Sequence, residues 1–259
     1  MNLKYIELLS PEPYFIEKVG SIISPTLRVV SKNMDTYNFY LSLLSMNSEG
    51  LFKLVNQEEI YNKLSEEDKS ELDVFDLITS DGLIFSEIKI YEYILGALQY
   101  FFVENVTYSV RDKVFKIFKD SEMKDQIGLI DKNNYHVVTS VILQRNYIKQ
   151  TEEINVNKIK SKKALSIMEK LKKGREAKEK ASKNSKNNLD IGNVISGVSN
   201  FAPNINPITI WEMTIYQLYD SFYRNQINNI MELCKSSASY YGNKDGVFNP
   251  TEWYKAIEI

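Results

Sequence analysis

Between Lys158 and Lys186 the chain carries twelve Lys or Arg against three acids (Glu169, Glu176 and Glu179), a local charge of +9. A stretch this basic resists burial, so any core has to be built by the residues on either side of it. Those flanks are acidic. Residues 1–157 hold 16 basic against 24 acidic side chains and residues 187–259 hold 4 against 7, so a formal net charge of −2 conceals three electrically distinct segments. A pI near 5.7 gives no global attraction to nucleic acid or acidic lipid, and any such attraction must be local.

The basic segment opens with helix-forming residues and a short apolar stripe, Ile159, Leu165, Ile167, Met168 and Leu171, then decays into Lys, Ser and Asn. That is the pattern of a helix fraying into a flexible connector. The chain is therefore expected to divide into an acidic, mostly helical domain over 1–157, a Lys-rich helix or linker over 158–188, and a small helical domain over 189–259. The expected fold class is mainly α, of the α+β kind, with a small β-hairpin in the first domain. A content of 43% apolar and 12% aromatic residues is enough to fill its core.

Within the first segment, "NMDTYNFYLSLLSM" sets Tyr37, Tyr40, Leu41 and Leu44 at helical spacing, "NQEEIYNKLSEEDKSEL" reads as a charged surface helix, and "SEIKIYEYILGALQYFF" as an amphipathic helix that becomes fully buried. "NVTYSVRDKVFKIFK" alternates and is rich in β-formers, with "RDK" as a tight connection, which predicts a hairpin. After the apolar run ending at Asp131, Val137, Val138, Val141 and Ile142 resume helical spacing, with Asn133 or Asn134 as the cap. The weakly polar run Tyr93–Val103 is half of the ~20 residues a membrane span needs. The N-terminus lacks a basic region followed by an apolar run, so no secretory signal and a cytoplasmic location are expected.

The densest aromatic stretch is "PITIWEMTIYQLYDSFYR", residues 207–224. Asn206 as cap, Pro207 in the first turn and Thr209 with Glu212 as a capping box predict a helix from 207 onward. Trp211, Ile215, Leu218 and Phe222 step by four, three and four into one stripe, flanked by Tyr216, Tyr219 and Tyr223. Such a stripe is more often core than interface. Its tyrosines favour contact with another protein, because they give large area at low entropic cost.

Chemistry is sparse. Cys234 stands alone, which excludes an intrachain disulfide, and it is expected as a small buried hydrophobe on a helix. His136 is the only histidine, without a second one to complete a metal site. "YGNKDGVFNPTE" places Asn243, Asp245, Gly246 and Glu252 at EF-hand spacing, but Tyr241 occupies the first ligand position. The alternative is a turn at Lys244–Gly246 and a short helix capped by Asn249, presenting Trp253 inward. No Gly-rich phosphate loop, nucleophile elbow or paired carboxylate is found, so no catalytic residue, metal or cofactor is expected, and no enzyme. The Lys-rich segment offers Lys162, Lys163, Lys170, Lys172, Lys173 and Arg175 for electrostatic contact, yet lacks the interleaved aromatics of a single-strand binder.

The layout, with Trp211, Thr214, Tyr216, Gln217, Leu218, Asp220, Phe222, Arg224 and Trp253 in its last part, resembles the tail assembly chaperones of tailed bacteriophages. The resemblance implies a non-enzymatic protein that holds the hydrophobic, helical tape measure protein and brings tail tube subunits to it in the host cytoplasm. The partner-binding residues would be Trp211, Ile215, Tyr216, Leu218, Tyr219, Phe222 and Tyr223. The resemblance gives the tape measure and tail tube proteins as partners; self-association is a separate option, no membrane is expected, and nucleic acid is the less favoured partner. The alternatives are a structural component of a phage tail or baseplate retained in the particle, and a nucleic-acid-binding protein using Lys158–Lys186.

Overall fold

The computed structural model describes residues 1–148, 190–202, 204–243, 246, 248–254 and 257. The Lys-rich connector and its six candidate electrostatic residues lie outside the described residues, as do Lys244 and Asp245. The architecture is α+β, mostly helical with small antiparallel sheets.

Helix α1 (Tyr5–Leu9) precedes a hairpin of β1 (Tyr14–Ile16) and β2 (Gly20–Ile22), followed by α2 (Leu27–Val30) and α3 (Met34–Leu44). Four short helices come next: α4 (Ser48–Leu54), α5 (Glu58–Lys63), α6 (Glu66–Glu71) and α7 (Val74–Ile78). The expected single charged helix is thus two, because the Ser65 hydroxyl and the Asp68 carboxylate cap each other's backbone and start a new helix at Glu66. A two-residue ladder of β3 (Ile84–Phe85) and β4 (Ile88–Lys89) leads into α8 (Ile90–Phe101). On α8, Ile90, Ile94, Ala97, Leu98 and Phe101 are all fully buried, one apolar face at helical spacing. The ring of Tyr40 on α3 lies against Gly96, where a Cβ would come within 2.8 Å of its hydroxyl oxygen.

The expected hairpin is present as β5 (Asn105–Ser109) and β6 (Val114–Phe118), and a third strand, β7 (Gln126–Ile130), extends it to a meander in the order β5-β6-β7. Along β6 the burial alternates, with Phe115 and Ile117 facing the core. The turn between β1 and β2 rests on β7, where Leu129 N donates to Lys18 O at 3.1 Å. Gly128 permits that approach, since a Cβ would meet Val19 O at 2.5 Å.

Helix α9 (Tyr135–Arg145) begins where expected, but Asn134 at its cap position makes no side-chain cap bond. Instead the Asp131 carboxylate accepts from the backbone N–H of Asn133 and Asn134, and Asn134 Oδ1 accepts from Asp131 N. Thr139 through Leu143 are all buried, so α9 runs through the middle of the core. Its last residue, Arg145, is 1% exposed and has no carboxylate partner among its bonds. Its guanidinium donates to Ser24 Oγ and to the carbonyls of Glu7, Ser10 and Glu12 at 2.7–2.9 Å. Desolvation lowers its pKa, while Tyr14 and Glu7 pull the other way.

After the connector come α10 (Ile191–Phe201), a 3-10 turn (Thr209–Glu212), α11 (Ile215–Tyr241) and a second 3-10 turn (Pro250–Tyr254). The C-terminal helix does not start at 207. Thr214 and Gln217 form a reciprocal capping box that starts it at Ile215. Ahead of the box the chain is extended, because Met213 O accepts from Leu27 N and Thr214 bridges Thr26. Pairing with the first segment outweighs local helix propensity here, so Trp211 belongs to the separate turn and the continuous stripe is broken. Asn206 caps that turn by accepting from Ile208 N and Thr209 N. Cys234 is half-buried on α11, less enclosed than expected. Near the end, Asn243 clasps Phe248 and Asn249 caps the last turn, on which Trp253 is half-buried.

One hydrophobic core takes residues from both sides of the connector: Leu8, Leu27, Leu41 and Ile142 on one side, Val194, Ile210, Ile215 and Leu218 on the other. Arg145→Ala removes a buried hub and leaves three carbonyls and the Ser24 hydroxyl without their donor. A loss of about 4 kcal/mol is expected, read as a lower urea midpoint at unchanged m-value.

Candidate functional site

A cavity of about 580 Å³ opens between α3, the end of α9, the start of α10 and the first half of α11. Tyr147, Tyr219 and Tyr223 form one wall, Met34, Asn38 and Leu41 the other, Ile215 lies in the floor, and Ile148 and Asp190 stand at the rim.

The wall is built from both sides of the connector. Tyr219 and Tyr223 are four apart on α11 and so share a face. The ring of Tyr147 stacks on both, with centroids 5.0 Å and 6.0 Å away and planes within 21° and 15° of parallel. Tyr216 meets it edge-on from below at 5.3 Å. Tyr147 can reach across because α9 ends in a Schellman motif: Ile148 N donates to Leu143 O and Tyr147 N to Gln144 O. In that motif the residue after the cap turns left-handed, a place usually held by glycine, and Tyr147 occupies it with φ at 61°. The β-carbon makes this conformation cost about 1 kcal/mol or more, offset by the ring contacts. Beneath, Tyr37 donates to Asn146 Oδ1 at 3.0 Å, and Asn146 Nδ2 donates back to Ile142 O at 2.7 Å, fixing the floor.

Burial pushes the Tyr147 hydroxyl up to about 12, helped by Tyr223, Asp220, Tyr5 and Tyr219. Burial likewise raises Tyr37, Tyr216 and Tyr219, the last also through Tyr223 and Asp190. The groove wall therefore offers ring faces and hydroxyl hydrogen bonds, with burial favouring the neutral phenol at Tyr147 and Tyr219.

Of the seven residues that the sequence marks for contact, Tyr219 and Tyr223 stand in the groove wall and Ile215 in its floor. Tyr216 and Leu218 are enclosed in the core at 2% and 0% exposure and line no part of the groove. Trp211 and Phe222 are half-buried and line no part of the groove. Tyr147, which joins the set, carried no mark in the sequence beyond following Arg145 and Asn146, the kind of residues that end a helix. Below α11, Tyr5 donates to Asp220, Arg224 donates to Tyr5 Oη at 3.2 Å, and Arg224 also holds Trp253 O at 2.8 Å. This network ties both ends of the chain to the helix that carries the tyrosines.

Residues 181–258 match the model of a family described as YomV second domain, a phage-associated domain family. That match covers α10, α11 and both 3-10 turns, the part that supplies Tyr219 and Tyr223. No curated protein and no solved structure matches the chain. Among the described residues no group of three or more His, Cys, Asp or Glu could hold a metal ion, and His136 is exposed on the first turn of α9. Among them, too, no helix is long and apolar enough to cross a membrane.

Two outcomes follow from the tyrosine stack. Tyr147→Gly and Tyr147→Ala both lose the rings, but only alanine keeps the left-handed strain. The glycine variant should be the more stable by about 1 kcal/mol in urea unfolding, the reverse of the usual order. The folded pKa of Tyr147 lies above its ordinary 10.0, so its contribution to stability is complete below pH 10 and is lost as pH rises through about 12. Phenolate absorbance should accordingly show a late-titrating tyrosine that Tyr147→Phe removes.

Proposed function

We propose that the chain is a phage-encoded, non-enzymatic binding protein of the tail assembly chaperone kind, acting in the host cytoplasm. It holds a helical segment of the tape measure protein in the tyrosine groove and presents it to tail tube subunits. The observation that carries this reading is the groove: half-buried, stacked tyrosines on rigid elements, with an amide at one wall and a carboxylate at the rim. Tyrosines held this way lose little entropy on contact and accept varied apolar side chains, which suits a long partner of repetitive composition. A cavity of about 580 Å³ takes the side chains of one face of a helix and leaves its backbone outside. The phage association of the domain that carries α11 supports the setting.

The test is recovery of partners on the tagged chain from cells that naturally make it, after nuclease treatment, with mass spectrometry of what is retained. A long, helix-rich tape measure protein should come with the wild type. The variant Tyr219→Ala/Tyr223→Ala should lose it, at a cost of about 2 kcal/mol in binding, some tens of fold, with helix content nearly unchanged. Retention of the same partner by a folded variant would remove the groove from the reading. Recovery of nucleic acid alone before nuclease, and of no protein after it, would transfer function to the Lys-rich connector.

A further inference from the structure

Beyond its first turns α11 leaves the core, and its far half has two apolar edges with different fates. On one edge Met231 is 4% exposed, and Ile227, Cys234 and Ala238 are half-buried, on the helix against which α10 and the last 3-10 turn pack. On the other edge Gln226, Ile230, Leu233, Ser237 and Tyr240 step by four, three, four and three, the spacing of a coiled-coil seam. All five are exposed, with Ile230 at 59%, Leu233 at 72%, and Tyr240 and the adjoining Tyr241 at 84%. From Asn225 to Tyr241 the only charged residues are Glu232 and Lys235, which pair with each other at 3.6 Å and sit on faces turned away from the seam.

We propose that this seam joins two copies of the chain, with the α11 helices antiparallel about a two-fold axis between Ile230 and Leu233. The chemistry favours a second copy because the seam is uncharged: it offers nothing to a charged partner, and placing it against itself opposes no like charges. An antiparallel register sets Ile230 against Leu233 of the second copy, Gln226 against Ser237 and Tyr240 against Tyr223, so apolar meets apolar, polar meets polar and aromatic meets aromatic. A parallel pair would bring both bodies to the same end of the helices, whereas an antiparallel pair sends them to opposite ends. The antiparallel pair separates the points where the helices leave their cores by about 28 Å. Four large exposed side chains per copy supply on the order of 600 Å², about 1,200 Å² for the pair, the lower bound of specific interfaces. An interface at that lower bound suits a reversible dimer. The inference does not depend on the chaperone reading, and its test needs no phage partner.

Sedimentation velocity of the full chain across the micromolar range should show the 30.1 kDa monomer giving way to a dimer as concentration rises. Leu233→Glu should abolish the shift while leaving the melting temperature unchanged, since Leu233 is exposed. Cys234, the only cysteine, reports orientation. A short bismaleimide should couple Cys234 to Cys234 of the second copy. It should fail with the Cys234→Ser/Tyr241→Cys variant, whose cysteines an antiparallel pair holds about 28 Å apart. A monomer at every concentration overturns the proposal and leaves the seam to a foreign helix. A dimer that survives Leu233→Glu, or coupling at position 241 in place of 234, overturns the interface or its orientation.

Discussion

Burial of the first turns of α11 is the contact on which the rest of the arrangement depends. Ile215, Tyr216 and Leu218 are enclosed by residues from the other side of the connector, and each such side chain contributes about 1.5–3 kcal/mol. That anchoring fixes the helix rotation, which sends Tyr219 and Tyr223 toward Tyr147 and the later seam away from the body. Leu27 N on Met213 O, the Thr26–Thr214 bridge and Gln217 Nε2 on Leu9 O pin the same point through the backbone. The Arg28–Glu212 pair nearby is well exposed on both partners and adds little.

The buried guanidinium of Arg145 serves the same end from beneath. It holds the carbonyls of Glu7, Ser10 and Glu12, and so fixes the segment that supplies Leu9 O to Gln217. One residue further, Asn146 takes the Tyr37 hydroxyl, and the next is Tyr147 itself. Three successive residues at the end of α9 thus set the N-terminal segment, the groove floor and the groove wall. The left-handed strain at Tyr147 is tolerated because the Schellman bonds and the stacked rings determine its position from both sides.

How much of this was legible in the sequence depends on whether the deciding interaction was local. Helices α3, α8 and α9 announced themselves because their buried faces repeat over several turns, and β5–β6 because five-residue strands alternate around a short connection. The β1–β2 and β3–β4 ladders did not, since strands of two or three residues show no period and their turns use Lys18, Ser86 and Glu87 at positive φ in place of glycine. Strand β7 read only as an apolar run, because its partner lies across a loop. The start of α11 was misplaced for a similar reason: Pro207 and Asn206 signal a helix correctly in kind, but extended pairing with Leu27 and Thr26 interrupts it. Of the candidate site, Tyr219 and Tyr223 were visible as part of an aromatic stripe. Periodicity alone could not separate them from Tyr216 and Leu218, which differ from them only in what the distant segment covers.

A helix that is core at one end and surface at the other couples what touches its far half to the stability of its near half. At about 1.5 Å per residue its 27 residues span about 40 Å, of which the first third is held by the body. A contact made along the outer part is transmitted through a rigid rod to Tyr219 and Tyr223, whose separation of one turn cannot change without unwinding the helix. Shifting the rod by a fraction of a turn would part the Tyr147 ring from both tyrosines at once, since one ring stacks on two. The two groove tyrosines and the outer seam are therefore carried by one helix, and a rotation of that helix moves both.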